Sequence, residues 1–320
     1  MMRVLLTGAS GFVGAAVQAH LLDDPQFALR SAYRQAPVHA PAGLQVCQVS
    51  GLEPDTDWQV PLEGIEAVIH CAARVHVMNE NEADPLAAFR RANVQGTLRL
   101  AEQAARSGVR RFIYLSSIKV NGEGTLPGHP YSADDQPAPL DPYGVSKLEA
   151  EQGLQALAVK TGMEVVIIRP VLVYGPGVKA NFRSMMGWLN RGVPLPLGAI
   201  TNKRSLVALD NLVDLIVTCI HHPAAANQVF LVSDDEDLST SELLRRMARA
   251  LGRPARLLPL PMRLLSGTAQ LLGKKALSQR LCGSLQVDIE KTKTLLEWTP
   301  AVSVDGALAK TAKDFLKPRV

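Results

Sequence analysis

The chain alternates two kinds of apolar segment. Short runs with apolar side chains at nearly every position fall at 3–7, 29–33, 45–49, 67–71, 112–116 and 165–169. Such runs suit strands buried on both faces of a sheet. Between them lie the longer stretches 12–22, 85–107 and 142–161, whose apolar residues recur every three or four positions. That spacing gathers them on one side of a helix. Strand and helix in alternation predict an α/β fold built on a doubly wound parallel sheet. Residues 229–233 read as one further strand returning to it. After Pro170 the texture becomes turn-rich, at Tyr174-Gly175-Pro176-Gly177 and at 194–198. The expected division is a first domain over 1–170 with 205–234 returning to it, and a smaller, mixed domain over 171–204 and 235–320. Residues 121–141, rich in Gly, Pro and Asp, read as a surface loop.

Composition narrows the field. Over 320 residues, 47% are hydrophobic and 20% charged, enough apolar material for a large core, which excludes wholesale disorder. Lys+Arg 34 against Asp+Glu 30 leaves a net +4, too mild to call for a nucleic-acid partner. Cys47, Cys71, Cys219 and Cys282 are scattered, with no CxxC pair. That excludes a disulfide framework and fits a reducing compartment. No two Cys or His residues have metal-ligand spacing, so no metal site is expected. The apolar opening Val4-Leu5-Leu6 is broken at once by Thr7-Gly8. No uncharged stretch reaches the roughly 18 residues a spanning helix needs. The expectation is a cytoplasmic chain with no transmembrane segment. One local imbalance stands out: 243–280 holds nine basic residues (Arg245, Arg246, Arg249, Arg253, Arg256, Arg263, Lys274, Lys275, Arg280) and no acidic one. It reads as a solvated face or, more sharply, as a contact for an anionic substrate, partner or membrane surface. The amphipathic stretch 261–272 reads as core or as a peripheral membrane contact.

Three groups of residues carry chemistry. The first strand runs into Thr7-Gly8-Ala9-Ser10-Gly11-Phe12-Val13-Gly14. Glycines at 8, 11 and 14 let the backbone pass close to a pyrophosphate, and N–H groups opening a helix point at the anion. At the end of the second strand, an acid would bind the ribose of NAD. Here Tyr33-Arg34-Gln35 offers none, and Arg34 can take a 2′-phosphate, so NADP(H) is favoured over NAD(H). Finally, Asp141 can cap a helix whose first turn holds Tyr143-Gly144-Val145-Ser146-Lys147. Tyr143 and Lys147, four apart, share one face. A phenol of ordinary pKa about 10 is a poor base at neutral pH, and an adjacent ammonium, helped by the cationic nicotinamide of an oxidised cofactor, is expected to bring it toward working range. In the opposite direction the same phenol donates its proton. Ser116 and Ser117 end the fifth strand at the crevice side of the sheet, where a hydroxyl can hold a substrate oxygen against Tyr143. His70, at a strand end, reads as a packed or hydrogen-bonded residue.

These marks together resemble an extended short-chain dehydrogenase/reductase of the nucleotide-sugar epimerase/dehydratase family. They are TGASGFVG at 7–14, HCAA at 70–73, NVQGT at 93–97, LSSIKVNG at 115–122, YGVSK at 143–147, RPVLVYGPG at 169–177 and RSLVALDNLVD at 204–214. The resemblance implies a Rossmann fold with a C-terminal substrate domain. It gives Tyr143 the acid/base role, and Lys147 the tasks of orienting it and binding nicotinamide ribose. In the family the catalytic hydroxyl stands three positions before the Val of a Val-Tyr-Gly. Val120-Asn121-Gly122 stands there in this chain, which assigns that role to Ser117. Asn93 and Ala72-Ala73 would line the cofactor site. The diphosphate of a UDP-sugar would lie near Asn181, Arg204 and Arg280. A homodimer through the stretches 85–107 and 142–161 is also implied. The family's dehydratases follow the catalytic hydroxyl with Asp-Glu, and this chain has Ile118-Lys119, so that reaction is set aside. Texture and Arg34 favour NADPH-linked reduction of a UDP-2-acetamido-2,6-dideoxy-4-keto-hexose, made for surface polysaccharide. A UDP-glucose or UDP-N-acetylglucosamine 4-epimerase is the alternative, and a non-catalytic nucleotide sensor the remote one.

Overall fold

The computed structural model describes residues 1–75, 84–126, 128–261, 264 and 281–318. All seven expected strands form: β1 (Met2–Thr7), β2 (Phe27–Tyr33), β3 (Gln45–Gln48), β4 (Ala67–His70), β5 (Arg111–Leu115), β6 (Glu164–Pro170) and, last in the chain, β9 (Val229–Val232). They make one parallel sheet in the order β3-β2-β1-β4-β5-β6-β9. The chain steps outward from β1 to β3, then returns to β4 beside β1, with Val4 opposite Ala67 and Thr7 opposite His70. Between β1 and β4 the direction of winding reverses, and the carboxyl ends there open a crevice.

Strand residues alternate between two apolar layers, as a period of two requires. Val4, Leu6, Ile69, Ile113, Val166 and Ile168 face α1 (Phe12–Asp23) and α7 (Leu209–His221), meeting Val17, Leu21, Leu212 and Ile216. Leu5, Val68, Phe112, Tyr114, Val165 and Ile167 face the other way, onto Leu100 and Ala101 of α4 (Thr97–Arg106) and Ala150 and Leu154 of α5 (Pro142–Thr161). Both faces are covered, which is why the strands read as continuous apolar runs. A short helix, α2 (Gln59–Leu62), precedes β4. A third cluster joins α6 (Ala180–Asn190), α8 (Thr240–Ala250) and α10 (Val304–Phe315) through Phe182, Met186, Leu189, Leu244, Met247, Leu308 and Ala312. Leu285, Ile289, Leu296 and Trp298, around α9 (Glu290–Leu296), pack into the sheet's own layer.

Two features differ from the pattern-based expectation. The stretch 85–107 is not one helix. It is α3 (Pro85–Phe89), a wide π-helical turn (Arg90–Gly96) and α4. Gly96 sits where a Cβ would lie 2.4 Å from the Leu52 carbonyl oxygen. The turn buries Asn93, and π-turns of this kind are common at functional sites. Within the turn-rich region, β7 (Leu172–Tyr174) and β8 (Leu206–Ala208) form a separate parallel pair. The Tyr174 hydroxyl and the Ala208 N–H both donate to buried Asp234, each at 2.8 Å, and lock that pair to the end of β9.

Candidate active site

The glycine turn closes directly on the crevice. Gly8 has φ +79°, and a Cβ there would lie 2.6 Å from the Ala72 nitrogen. At Gly14 a Cβ would lie 2.1 Å from the Gly8 carbonyl oxygen. Gly11 caps α1 with no side chain, so the first N–H groups of that helix keep no side-chain acceptor. Phe12 packs against both the sheet layer and the cluster of α6, α8 and α10, and Val13 against the sheet layer. The cradle is therefore bare backbone over a helix N-terminus, a shape that fits a dinucleotide pyrophosphate. Gly14→Ala is expected to weaken cofactor binding by about tenfold or more, measured by cofactor titration, because the new methyl meets backbone that cannot yield.

His70 is a strut. Its Nδ1 pairs with the Thr7 hydroxyl at 2.7 Å and its Nε2 with the Thr97 hydroxyl at 3.0 Å. Burial, then the charge of Lys147, pushes its pKa down to about 3, so the ring stays neutral. Ala72 and Ala73 follow, half-buried, in the loop after β4. Asn93 reaches that loop from the π-turn: it accepts from Arg74 N at 2.8 Å and donates to Arg74 O at 3.0 Å. It also donates to the Ser146 hydroxyl, which donates to the Tyr143 carbonyl. Its carboxamide thus ties the cofactor-side loop to the first turn of α5.

Asp141 caps α5 by accepting from Gly144 N at 2.6 Å, and Pro142 opens the helix. Lys147 lies fully beneath the surface, donating to the Leu115 carbonyl at 2.8 Å. Its ammonium sits 4.4 Å from the Tyr114 ring centroid and 5.9 Å from that of Tyr143. The chain's own groups, without a cofactor's charge, do not bring the phenol into working range. Burial, then the Asp141 carboxylate, pushes Tyr143 up to about 12. Burial pulls Lys147 down to about 8, with Glu151 and Cys71 opposing. The ammonium is spent on a strand-end carbonyl, so the chain's own groups leave Tyr143 a proton donor.

Ser117 stands at the end of β5, its hydroxyl accepting from Lys119 N at 3.3 Å as it caps the single turn Ile118–Val120. Lys119, in the position dehydratases fill with an acid, pairs with Asp141 and with Glu123 (3.0 Å), clasping the Ser117 turn to the first turn of α5. Beneath lies a network that sequence reasoning missed. The Ser116 hydroxyl donates to Glu151, and Arg169 binds that carboxylate through Nη2 at 2.5 Å and Nε at 3.0 Å. Arg169 also donates to Asn121 at 3.0 Å, and Asn121 to the Ser132 carbonyl. The signal available was an acid four residues after Lys147, on the buried stripe of α5.

The remaining expected contacts lie elsewhere. Arg34 is exposed just past β2, beside Gly51. Asn181 is exposed at the start of α6. Arg204 is partly buried before β8, donates to the Gly283 carbonyl at 3.1 Å, and has its pKa lowered by burial. Arg280, Arg263, Lys274, Lys275 and most of the stretch 261–272 lie outside the described residues. A cavity of about 410 Å³ flanks the loop after the Ser117 turn, lined by Asn121, Gly122, Leu126, Tyr131 and Leu140 among others. Another of about 380 Å³ lies between Gly198–Lys203 and the start of α8.

The model of the NAD dependent epimerase/dehydratase family matches residues 4–233. The chain belongs to that family. It is an enzyme of the epimerase/dehydratase type. It is 52% identical over 315 residues to a UDP-glucose 4-epimerase of Vibrio cholerae, covering 98% of this chain and 95% of that protein. It is 28% identical to an N-acetyl-alpha-D-glucosaminyl-diphospho-ditrans,octacis-undecaprenol 4-epimerase of Escherichia coli O157:H7, covering 90% and 88%. Its fold matches the UDP-glucuronic acid 4-epimerase of Bacillus cereus in complex with NAD at TM-score 0.79, with 22% identity and 98% of each chain covered. It also matches RMD from Pseudomonas aeruginosa complexed with NADPH at TM-score 0.74, with 24% identity and coverage of 98% and 99%.

Proposed function

We propose that this enzyme is a UDP-hexose 4-epimerase, inverting C4 of UDP-glucose or UDP-N-acetylglucosamine. The 52% identity to the Vibrio cholerae enzyme, across nearly the whole of both chains, carries this reading. The reductase favoured by the sequence thus becomes the second reading.

The chain's own groups divide the work. Gly8, Gly11, Phe12, Val13 and Gly14 would hold a dinucleotide at the α1 N-terminus, with Ala72, Ala73 and Asn93 along the crevice and Arg34 at the adenosine end. When bound, a nicotinamide dinucleotide supplies a hydride acceptor, and a positive charge that favours ionisation of Tyr143. Tyr143 moves the proton of the C4 oxygen. Ser117 donates a hydrogen bond to that oxygen and holds it in line. Lys147 fixes the strand end beneath them and binds the nicotinamide ribose. Asn181, Arg204 and Arg280 would take the diphosphate. An epimerase would gain from retaining its cofactor, because its reaction has no net oxidation or reduction. We carry a cytoplasmic homodimer, paired through the stretches 85–107 and 142–161, as part of the proposal.

The second reading, NADPH-linked reduction of a UDP-2-acetamido-2,6-dideoxy-4-keto-hexose, is favoured by one observation: exposed Arg34 with no acid at the end of β2. Proton NMR of the sugar nucleotide separates the two. The epimerase is expected to interconvert gluco and galacto forms with no net cofactor consumption. Stoichiometric oxidation of NADPH by the 4-keto sugar, without interconversion of 4-hydroxy sugars, would replace it with the reductase.

Cofactor affinity should carry the titration of Lys147. Its pKa stands at about 8 in the fold against 10.5 in water. Affinity is expected to fall as pH rises through about 8 and the ammonium is lost, and Lys147→Arg should flatten that limb. Stability moves the other way. The unfolded chain holds the proton over that window, so the burial penalty is full below about pH 8 and fades toward 10.5. Cofactor titrations and thermal melts across pH would read both.

A further inference from the structure

We propose that the surface joining the C-terminal end of α6 to the segment after α8 docks on an anionic lipid bilayer. Four large apolar side chains are exposed there: Trp188 (40%), Val193 (40%), Leu258 (51%) and Leu260 (40%). They belong to one surface, because backbone bonds stitch their segments together. Val193 N donates to Trp188 O, Leu195 N to Arg256 O, Leu258 N to Leu195 O and Leu260 N to Leu258 O. Three arginines rim the same place. Arg191 ends α6 and donates to the Gly187 carbonyl, Arg253 donates to the Asn190 side chain at 3.3 Å, and the Arg256 guanidinium lies beside Gly192. None of these contacts is to a carboxylate. Residues 180–200 and 243–261 contain no Asp or Glu at all. Arg246, which does meet Glu236, Glu242 and Asp305, points to another side of α8.

The chemistry selects the occupant. A second copy would set the arginine rim against itself. A nucleic acid would satisfy the arginines and leave the leucines without an apolar partner. The interface of an anionic bilayer accepts both: the indole at headgroup level, Val193 and the leucines toward the acyl boundary, and the guanidinium groups on phosphates. The inference does not depend on which sugar the enzyme handles.

The test uses the full chain with phosphatidylcholine vesicles, with and without phosphatidylglycerol. Of three tryptophans, Trp58 and Trp298 are buried (1% and 5% exposed), so Trp188 is the natural reporter. The expected result is co-sedimentation with phosphatidylglycerol vesicles that weakens with added salt, together with a blue shift of tryptophan emission. Each arginine near an anionic surface contributes roughly fivefold in partition, so Arg253→Gln/Arg256→Gln should lose about 30-fold. Arg191→Gln, on a different element, should lose about fivefold. Trp188→Phe should abolish the shift while retaining most of the binding. Turnover in solution, unchanged in each variant, shows that it is folded. No co-sedimentation with phosphatidylglycerol vesicles, equal binding by the double variant, or a blue shift that tracks self-association without lipid would each overturn the proposal.

Discussion

Tyr143→Phe is expected to cut turnover by about 10³-fold while cofactor affinity stays near that of the parent enzyme. The change removes one hydroxyl and little else. The ring still meets Phe89 edge-on, with centroids 6.0 Å apart. The Tyr143 carbonyl still accepts from Ser146, which keeps Asn93 and the loop after β4 in place. Lys147 still holds the Leu115 carbonyl. What disappears is the phenol in the first turn of α5, a group whose pKa burial, then Asp141, pushes up to about 12. Single-turnover kinetics beside a cofactor titration would separate the two effects. Residual turnover above about a tenth of the parent value would move the proton transfer to another group, with Ser117 next in line.

How much of this was legible in the sequence depends on the range of the interactions involved. The seven strands and the helices at 12–22 and 142–161 come from local pattern, because a sheet covered on both faces demands continuous apolar runs. The glycine turn was legible in part for the same reason: Gly14 answers the Gly8 carbonyl inside one strand-turn-helix unit, whereas Gly8 answers the distant Ala72 backbone. The π-turn was not: it ends at Gly96, where a Cβ would meet the backbone of Leu52, some forty residues earlier, a contact that no local pattern shows. Nor was the state of Tyr143. Four-residue spacing places Lys147 on its face, but only the fold shows the ammonium turned to the Leu115 carbonyl and the Asp141 carboxylate acting against ionisation. Arg169 opens the motif 169–177 and Glu151 falls within the helical stretch 142–161, two segments that nothing local links. Their pairing needed the register of β6 beside β5, which is a property of the sheet and of no single segment.

That pairing sets the second large expectation. Arg169→Met should destabilise the enzyme by about 3–5 kcal/mol, because it strands the Glu151 carboxylate in the interior with only the Ser116 hydroxyl to meet it. Both partners are almost wholly buried, with side chains 5% and 1% exposed, so solvent cannot screen the loss. The effect should reach the chemistry as well. Arg169 braces Asn121, and Glu151 braces Ser116, on either side of the turn that presents Ser117. Glu151→Leu/Arg169→Met removes both charges and is expected to recover most of the stability, since a buried pair contributes little beyond an apolar pair of similar volume. Turnover should not recover with it, because Ser116 loses Glu151, Asn121 loses Arg169 and the Ser117 turn loses that support. Denaturant unfolding paired with kcat measurements on the single and double variants decides the matter. Recovery of both quantities together would reduce the ion pair to a packing element, while recovery of stability alone marks it as the foundation on which the Ser117 hydroxyl is aimed at Tyr143.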